Sequence, residues 1–179
     1  NLTVNNASCA VSYYVGWGVP LTVANNLTIA AGSLTTWDGT TSADLTVTGG
    51  VTVTGTLDMK ASTLIINGIV GTGYSLNVAG TFIGGTGNHT VGSAYFNECT
   101  ATLTTGNMTI TNYGGSSGTP SFGTHAGTLT LNTGTITFTR AGTQALFDVH
   151  NTARTFGTVV LNNASAALAF YDAFSYAMT

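Results

Sequence analysis

A short phrase of alternating threonine and aliphatic residues recurs along the chain, and its copies run into turns that contain glycine or asparagine. The clearest copies are 21–34, 45–57 and 129–139, and weaker ones are 76–83 and 108–111. Alternation with period two places aliphatic side chains on one face of a strand and threonines on the other. Glycine and asparagine tolerate the backbone angles of tight corners. Recurrence every ~20 to 30 residues predicts an all-β fold, a parallel β-solenoid (β-helix) in which each coil packs on the next.

The length sets the number of coils that the chain can form. Its 179 residues correspond to roughly eight irregular coils of about 20 residues each. We predict a single β-solenoid domain over residues 1–179, with loops at 35–43, 84–90 and 113–125, where Gly, Ser and Thr accumulate. Neither end shows a polar cap, so we expect the end coils to be covered by further chain or by a neighbouring subunit.

The two ends of the sequence resemble each other. Residues 4–14 align without a gap with residues 161–171, at an offset of 157 residues. Two explanations remain open. Either both segments are ordinary coils of one solenoid, or the chain holds one unit, with a period of about 157, of a longer tandem array. In both cases the last coil resembles the first, as head-to-tail stacking requires.

The chain has very few charged residues. Asp, Glu, Lys and Arg make up 5% of it, against about 25% in typical soluble domains. We expect such a surface to be covered by sugar, by neighbouring subunits, or by threonine and asparagine side chains alone. The net charge is -3 and the basic residues do not cluster, which argues against nucleic acid as a partner. No apolar run approaches the ~18 residues of a membrane span, so we expect no membrane insertion.

Six Asn-x-Ser/Thr sequons are candidate glycosylation sites. Several sequons arise by chance in a chain rich in asparagine and threonine, so chance remains the alternative explanation. If the sequons are used, the protein is extracellular or on the cell surface, and glycans are possible partners or coverings. The six asparagines are Asn1, Asn6, Asn26, Asn88, Asn107 and Asn163.

The chain contains two cysteines, Cys9 and Cys99. A separation of 90 positions corresponds to about four coils, or close to 20 Å along a simple solenoid. Bridged Cα atoms must lie within about 7 Å of each other. Three states are therefore considered, in order of preference: two buried thiols, an intersubunit disulfide, and a Cys9–Cys99 bridge that would require the chain to fold back on itself.

The residues that could support catalysis or metal binding are scattered. Polysaccharide-cleaving β-helices need clustered carboxylates, or a carboxylate with a basic residue, and the histidines lack metal-ligand spacing. Of the acids, Asp38 and Asp44 alone fall close enough to share a loop rim. We therefore expect no enzyme activity, no catalytic or metal site and no cofactor. The residues considered are Asp38, Asp44, Asp58, Glu98, Asp148, Asp172, Lys60, Arg140, Arg154, His89, His125 and His150.

Aromatic residues cluster near both ends of the chain. Such side chains suit both subunit packing and sugar stacking, while filling the core of a wider coil is the alternative. Because the cluster recurs near both ends, we favour an end-to-end assembly contact. The residues are Tyr13, Tyr14 and Trp17, with the counterparts Phe170, Tyr171, Phe174 and Tyr176.

Thr-x-Thr arrays, such as Thr135/Thr137/Thr139, resemble those of ice-binding solenoids. That resemblance implies a flat hydroxyl face, which needs a strict coil period that this sequence lacks. The simpler explanation of these arrays is that threonine has a high β-propensity and keeps an exposed strand polar.

Two phrases, 27–34 and 51–57, resemble the repeats of large extracellular β-helix proteins, the filamentous-haemagglutinin and autotransporter-like adhesins and giant microbial surface proteins. This resemblance implies a secreted, fibrous, non-enzymatic role and no individual site residues. We expect a structural, adhesive subunit or segment of an extracellular filament, sheath or surface fibre that self-assembles head to tail into a homopolymer. The alternative is a viral tail-fibre or carbohydrate-binding β-helix module, and less favoured are an ice-binding protein and a polysaccharide-active enzyme.

Overall fold

The computed structural model describes residues 1–13, 19–36, 41–71, 73–112, 121–148 and 155–172, with only the backbone described for 144–148 and 170–172. All regular structure in these segments is β-strand. The strands are β1 (Leu2–Ser12), β2 (Leu21–Val23), β3 (Leu27–Thr35), β4 (Leu45–Val47), β5 (Val51–Val53), β6 (Thr56–Asp58), β7 (Leu64–Ile66), β8 (Leu76–Val78), β9 (Thr81–Ile83), β10 (His89–Val91), β11 (Ala94–Phe96), β12 (Cys99–Thr102), β13 (Asn107–Ile110), β14 (Phe122–Thr124), β15 (Gly127–Thr130), β16 (Thr135–Phe138), β17 (Gly142–Asp148), β18 (Thr158–Leu161) and β19 (Ala166–Asp172).

The strands stack in three parallel rows. Row 1 contains β2, β4, β7, β10, β13, β16 and β18. Row 2 contains the first halves of β1 and β3, then β5, β8, β11, β14, β17 and β19, and row 3 contains the second halves of β1 and β3, then β6, β9, β12 and β15. The chain follows rows 1, 2 and 3 in turn and returns to row 1 one rung further along. The predicted parallel β-solenoid is therefore confirmed.

The coil count differs from the expectation. Successive strands of the seven-stranded row 1 begin between 18 and 28 residues apart, so the chain completes about six turns rather than the roughly eight expected. The coils are longer than assumed because the corners between rows take up additional residues, whereas most strands of rows 1 and 2 have only three or four residues.

The inward residues of the three rows form one continuous core. In row 2, Leu27, Val51, Leu76 and Phe122 occupy equivalent positions, and each is 0% exposed. The rings of Phe82, Phe96 and Phe122 follow one another inside the stack, with centroids 5.9 and 5.5 Å apart. Burying each large side chain stabilises the fold by about 1.5–3 kcal/mol. The alternation seen in the sequence is thus the alternation between core and surface.

Threonine and asparagine side chains hold the corners together. The Thr54 hydroxyl donates to the carbonyl of Ala30 at 2.8 Å, and the Thr133 hydroxyl donates to the carbonyl of Leu103 at 2.8 Å. The side-chain oxygen of Asn26 accepts a hydrogen bond from the backbone N–H of Gly50 at 3.0 Å. Each bond joins one rung to the next and satisfies a backbone group that takes no part in the hydrogen bonds between strands.

Two of the predicted loops contain strands. The segment 84–90 includes the beginning of β10, and the segment 113–125 includes β14, although residues 113–120 lie outside the described part of the chain. Within the segment 35–43, Thr35 ends β3 and residues 37–40 are not described. The loop predictions at β10 and β14 were wrong because His89 and Thr124 are polar but point into the core, where both are 0% exposed.

Candidate functional site

The first rung of the described solenoid has an open side. Within the described residues, β1 pairs only with β3, and β2 pairs only with β4. The N–H of Leu21 donates to Asp44 O at 2.8 Å, and Val23 O accepts from Thr48 N at 2.9 Å. Since alternate residues of a parallel strand direct their backbone groups to opposite sides, the N–H and C=O of Thr22 face away from the stack.

The last described rung is open in the opposite direction. Here β18 pairs only with β16, and β19 only with β17, within the described part of the chain. Leu161 of β18 is 40% exposed, and Val19, just before β2, is 55% exposed. Both end rungs therefore combine backbone groups directed out of the stack with exposed aliphatic side chains.

The predicted aromatic contacts fall largely beyond what the structure describes. Tyr13 is half-buried, and its N–H donates to Thr35 O at 2.9 Å, which makes it part of the first coil. The end-to-end role of the aromatic cluster stays a prediction. Tyr14, Trp17, Phe174 and Tyr176 lie outside the described residues, and Phe170 and Tyr171 belong to β19 with only their backbone described.

The matching segments near the two ends share a local structure but not a row. In the first, Asn6 Oδ1 accepts a hydrogen bond from the N–H of Ser8 at 2.9 Å. In the second, Asn163 Oδ1 accepts from the N–H of Ser165, also at 2.9 Å. The strand before the first turn lies in row 2 and the strand before the second lies in row 1. The motif therefore recurs after a strand of a different row, and the 157-residue period stays a prediction.

The sequon asparagines divide into two groups according to whether the side-chain Nδ2 donates a hydrogen bond within the described residues. Asn1, Asn6, Asn26 and Asn88 are exposed, and each accepts a hydrogen bond through Oδ1. In contrast, Asn107 and Asn163 are half-buried and donate through Nδ2, to Thr109 Oγ1 at 2.9 Å and to Thr139 O at 3.2 Å. Because Nδ2 is the atom that carries an N-linked glycan, the first group is better placed for modification.

The two cysteines are not bridged to each other. Cys9 precedes the row-3 part of β1, and Cys99 begins β12, so they lie four rungs apart, or about 19 Å. Cys99 is 3% exposed, whereas Cys9 is half-buried. The intersubunit disulfide stays a prediction, and Cys9 is the cysteine with the more accessible surface.

The described charged residues serve mainly as local contacts. Asp58 pairs with the Lys60 ammonium at 2.7 Å, and Asp44 Oδ1 accepts from the N–H of Thr63 at 2.8 Å. Arg140 donates to the side-chain oxygen of Asn112. Among the described residues, no three His, Cys, Asp or Glu side chains are placed to hold a metal ion. Asp38, His150 and Arg154 lie outside the described residues, and Asp148 and Asp172 are described only in their backbone.

One group of chemically active side chains on the flank was not singled out by the sequence analysis. The rings of Tyr74 and Tyr95 stack with centroids 4.8 Å apart and planes inclined by 12°. Nearby, the Glu98 carboxylate lies 3.7 Å from Nδ1 of His125. Burial raises the pKa of Tyr74 to about 12, and burial together with the charge of Glu98 raises the pKa of Tyr95. The sequence feature that could have revealed these pairs is their separation, because the two members of each pair lie about one coil length apart in the chain.

Row 3 carries a continuous column of outward hydroxyl side chains. Neighbouring members lie one rung, ~4.8 Å, apart. The register is kept although coil length varies, because extra residues enter at the corners and not within the strands. The second outward column of row 3 is interrupted by Asp58 and Ile83. The continuous column consists of Ser33, Thr56, Thr81, Thr100 and Thr128.

His89 is a core residue with a defined tautomer. It is 0% exposed, Nε2 donates to Gly84 O at 2.8 Å, and Nδ1 accepts from the N–H of Leu64 at 3.2 Å. Burial lowers the pKa of His89, against smaller opposing effects of hydrogen bonds to backbone groups of Gly84 and Asn88. The imidazole therefore links two rungs in its neutral form.

Comparisons of the chain with protein-family models, with curated proteins and with solved structures found no match. Among the described residues, no helix is long and apolar enough to cross a membrane.

Proposed function

We propose that this protein is a structural β-solenoid subunit or segment that assembles end to end into a filament, sheath or fibre outside the cell. The observation that supports the proposal most is that all three rows are parallel ladders whose first and last described rungs are hydrogen-bonded on one side only. Open strand edges readily accept another strand.

The geometry of such a contact explains why it would continue. The first rung offers the backbone groups of Thr22, and the last rung offers those of β18 on the opposite side. A contact between two different surfaces of the same molecule is heterologous, and it forms an open filament unless the rotation closes a ring. Exposed Val19 and Leu161 add apolar area at the joint. Each added copy would extend the filament by about six rungs, or ~30 Å.

The low charge of the chain also fits assembly. With 5% charged residues, a subunit has little electrostatic repulsion to keep copies apart. In proteins that remain monomeric, edge strands commonly carry lysine, proline or inward-pointing charges. The residues of β2 are Leu21, Thr22 and Val23, and the one such residue beside this strand is Pro20, immediately before it.

The test is a proline placed at the open edge. Thr22→Pro removes the N–H that faces away from the stack and leaves the bonds of Leu21 and Val23 to the next rung intact. The matched control, Thr22→Val, keeps the N–H and the β-propensity. We expect filaments with an axial repeat near ~30 Å by electron microscopy for wild type and Thr22→Val, and discrete particles for Thr22→Pro.

Circular dichroism of Thr22→Pro checks that the monomer keeps its β-structure. A wild-type protein that stays monomeric or forms short closed trimers at every concentration would reject end-to-end assembly. Imaging with and without reductant separately tests the intersubunit disulfide, because filaments held by Cys9 would dissociate on reduction.

A second candidate, binding to ice, is favoured by the in-register hydroxyl column of row 3. Successive hydroxyls of this column lie one rung apart although the coil length varies, so the column does not require a strict coil period. Inhibition of ice recrystallisation by wild type, lost in Thr81→Lys on row 3 and kept in Thr46→Lys on row 1, would support this function. A wild-type protein without inhibition rejects it.

A further inference from the structure

The flank of the solenoid carries an aromatic surface at one rung of row 2. Tyr95 is the outward residue of β11, and its equivalents on the adjacent rungs are Asn77 and Gly123. Tyr74, 9% exposed, stacks against one face of the Tyr95 ring. On the other side the equivalent residue is Gly123, which is itself buried, while Tyr95 stays partly exposed. Part of the Tyr95 ring is thus presented on a row whose preceding outward residues are small and polar.

The corner next to this surface holds a glutamate in a backbone conformation typical of glycine. Glu98 has a φ of 50°, in the left-handed region that side chains other than Asn and Asp rarely adopt. At the same edge of the solenoid, Gly32 and Gly127 have φ of 79° and 120°. The Glu98 side chain is 69% exposed, so it adds no contact with the core that would explain its presence at a strained position.

His125 completes the group on the next rung. Its Nδ1 lies 3.7 Å from the Glu98 carboxylate, and its side chain is 32% exposed. The group therefore offers a partly exposed aromatic ring, a carboxylate that accepts hydrogen bonds, and the exposed part of an imidazole whose Nδ1 is itself buried, all within one corner between rows 2 and 3.

We propose that Tyr95, Glu98 and His125 form a binding site for an uncharged pyranose sugar. The C–H face of a pyranose packs on an aromatic ring, while its hydroxyls donate to a carboxylate. A cationic ligand is disfavoured because the two tyrosine rings are parallel to within 12° and do not form the angled walls of an aromatic cage.

The tyrosine hydroxyl adds a donor to the same site. The Tyr95 hydroxyl is protonated at neutral pH, as in any tyrosine, and burial together with the charge of Glu98 raises its pKa further. A single open site of this kind gives weak binding, with a dissociation constant of the order of 1 mM. Because the group lies on the flank, its occupation does not depend on end-to-end assembly.

The test is saturation-transfer difference NMR with a panel of methyl glycosides of glucose, galactose, mannose, fucose and N-acetylglucosamine. We expect transfer to at least one glycoside from wild type, and an affinity at least tenfold lower in Tyr95→Ala and in Glu98→Gln. Thr22→Pro should keep the affinity, which separates a failure of this site from a failure of assembly.

A pair of glycine substitutions distinguishes binding from folding. Glu98→Gly and Lys60→Gly both relieve a positive φ. Among the described residues other than glycine, Glu98 and Lys60 are the two with a positive φ, and both have a value of 50°. We expect both to raise the melting temperature, while only Glu98→Gly loses sugar binding. Absence of transfer from wild type to every glycoside, or binding that survives in both Tyr95→Ala and Glu98→Gln, would overturn the proposal.

Discussion

The buried histidine of row 1 makes the solenoid sensitive to mild acid. His89 is neutral in the core, where Nδ1 accepts from the N–H of Leu64 and Nε2 donates to Gly84 O. Protonation would add a hydrogen to Nδ1, so that two N–H groups, those of Nδ1 and Leu64, would point at each other. It would also bury a positive charge. The folded state therefore resists protonation, and burial lowers the pKa of His89 below its ordinary value of 6.5.

The size of the effect follows from proton linkage. Below about pH 6.5 the unfolded chain binds a proton at His89 that the folded chain does not, so acidification favours unfolding. The free energy of unfolding falls by up to about 1.4 kcal/mol per pH unit. This loss begins near pH 6.5 and ends at the lowered pKa of the folded state. Above pH 6.5 the histidine contributes no pH dependence, and its two hydrogen bonds are fully present.

The measurement is urea unfolding of wild type and His89→Met between pH 5.5 and 7.5. Methionine is also found at the equivalent position of the next rung, Met108, but it leaves the Leu64 N–H and the Gly84 carbonyl without this partner. We expect wild type to be about 1–3 kcal/mol more stable at pH 7.5, and this advantage to shrink by about 1 kcal/mol at pH 5.5. His125→Gln is the control and should follow wild type. A difference between wild type and His89→Met that is constant with pH would refute the argument.

Two further predictions concern a corner and the sequons. In Gly80→Ala the new Cβ would overlap backbone carbonyl oxygens of the rung below, so we expect a loss of about 1–3 kcal/mol in urea unfolding. Gly71→Ala is its control, because nothing lies within 4 Å of the new Cβ, and an equal loss in both would contradict the packing argument. In a glycosylating host, peptide mass mapping should find glycan on Asn88 and none on Asn107, whose Nδ2 bonds to Thr109. The reverse occupancy would show that the folded hydrogen bonds do not guide modification.

The rows could be predicted wherever threonine and aliphatic residues alternate strictly. Val51–Val53 and Leu45–Val47 follow that rule and form β5 and β4. The rule fails where an inward residue is polar, as at His89 in β10 and Thr124 in β14. His89 is tolerated in the core because backbone groups of Leu64 and Gly84 satisfy its ring nitrogens. Gly84 is five residues before His89, but Leu64 becomes its neighbour only once the rungs are stacked, so the local sequence does not show that partner.

The flank group was hidden from the sequence for a related reason. Glu98 and His125 belong to successive coils, and Tyr74 and Tyr95 do as well. In a solenoid with a constant period, residues that stack would recur at a fixed spacing and could be paired by inspection. Here the coil length varies between 18 and 28 residues, so the register must be known before the pairs can be recognised. The sequence positions predicted a scattered set of charges, and the described residues depart from that at two corners, where Asp58 pairs with Lys60 and Glu98 lies beside His125.

The proposed assembly and the proposed sugar site reinforce each other through geometry. A stack of copies related by translation along the solenoid axis would present one flank group for every six or so rungs, a spacing of ~30 Å. A single site with a dissociation constant of about 1 mM holds a sugar only briefly. A polysaccharide that reaches several sites at once gains affinity through effective concentration, by factors of about 10² to 10⁴. A filament built from weak sites would therefore bind a glycan surface strongly while each free subunit binds it poorly, so adhesion would depend on assembly.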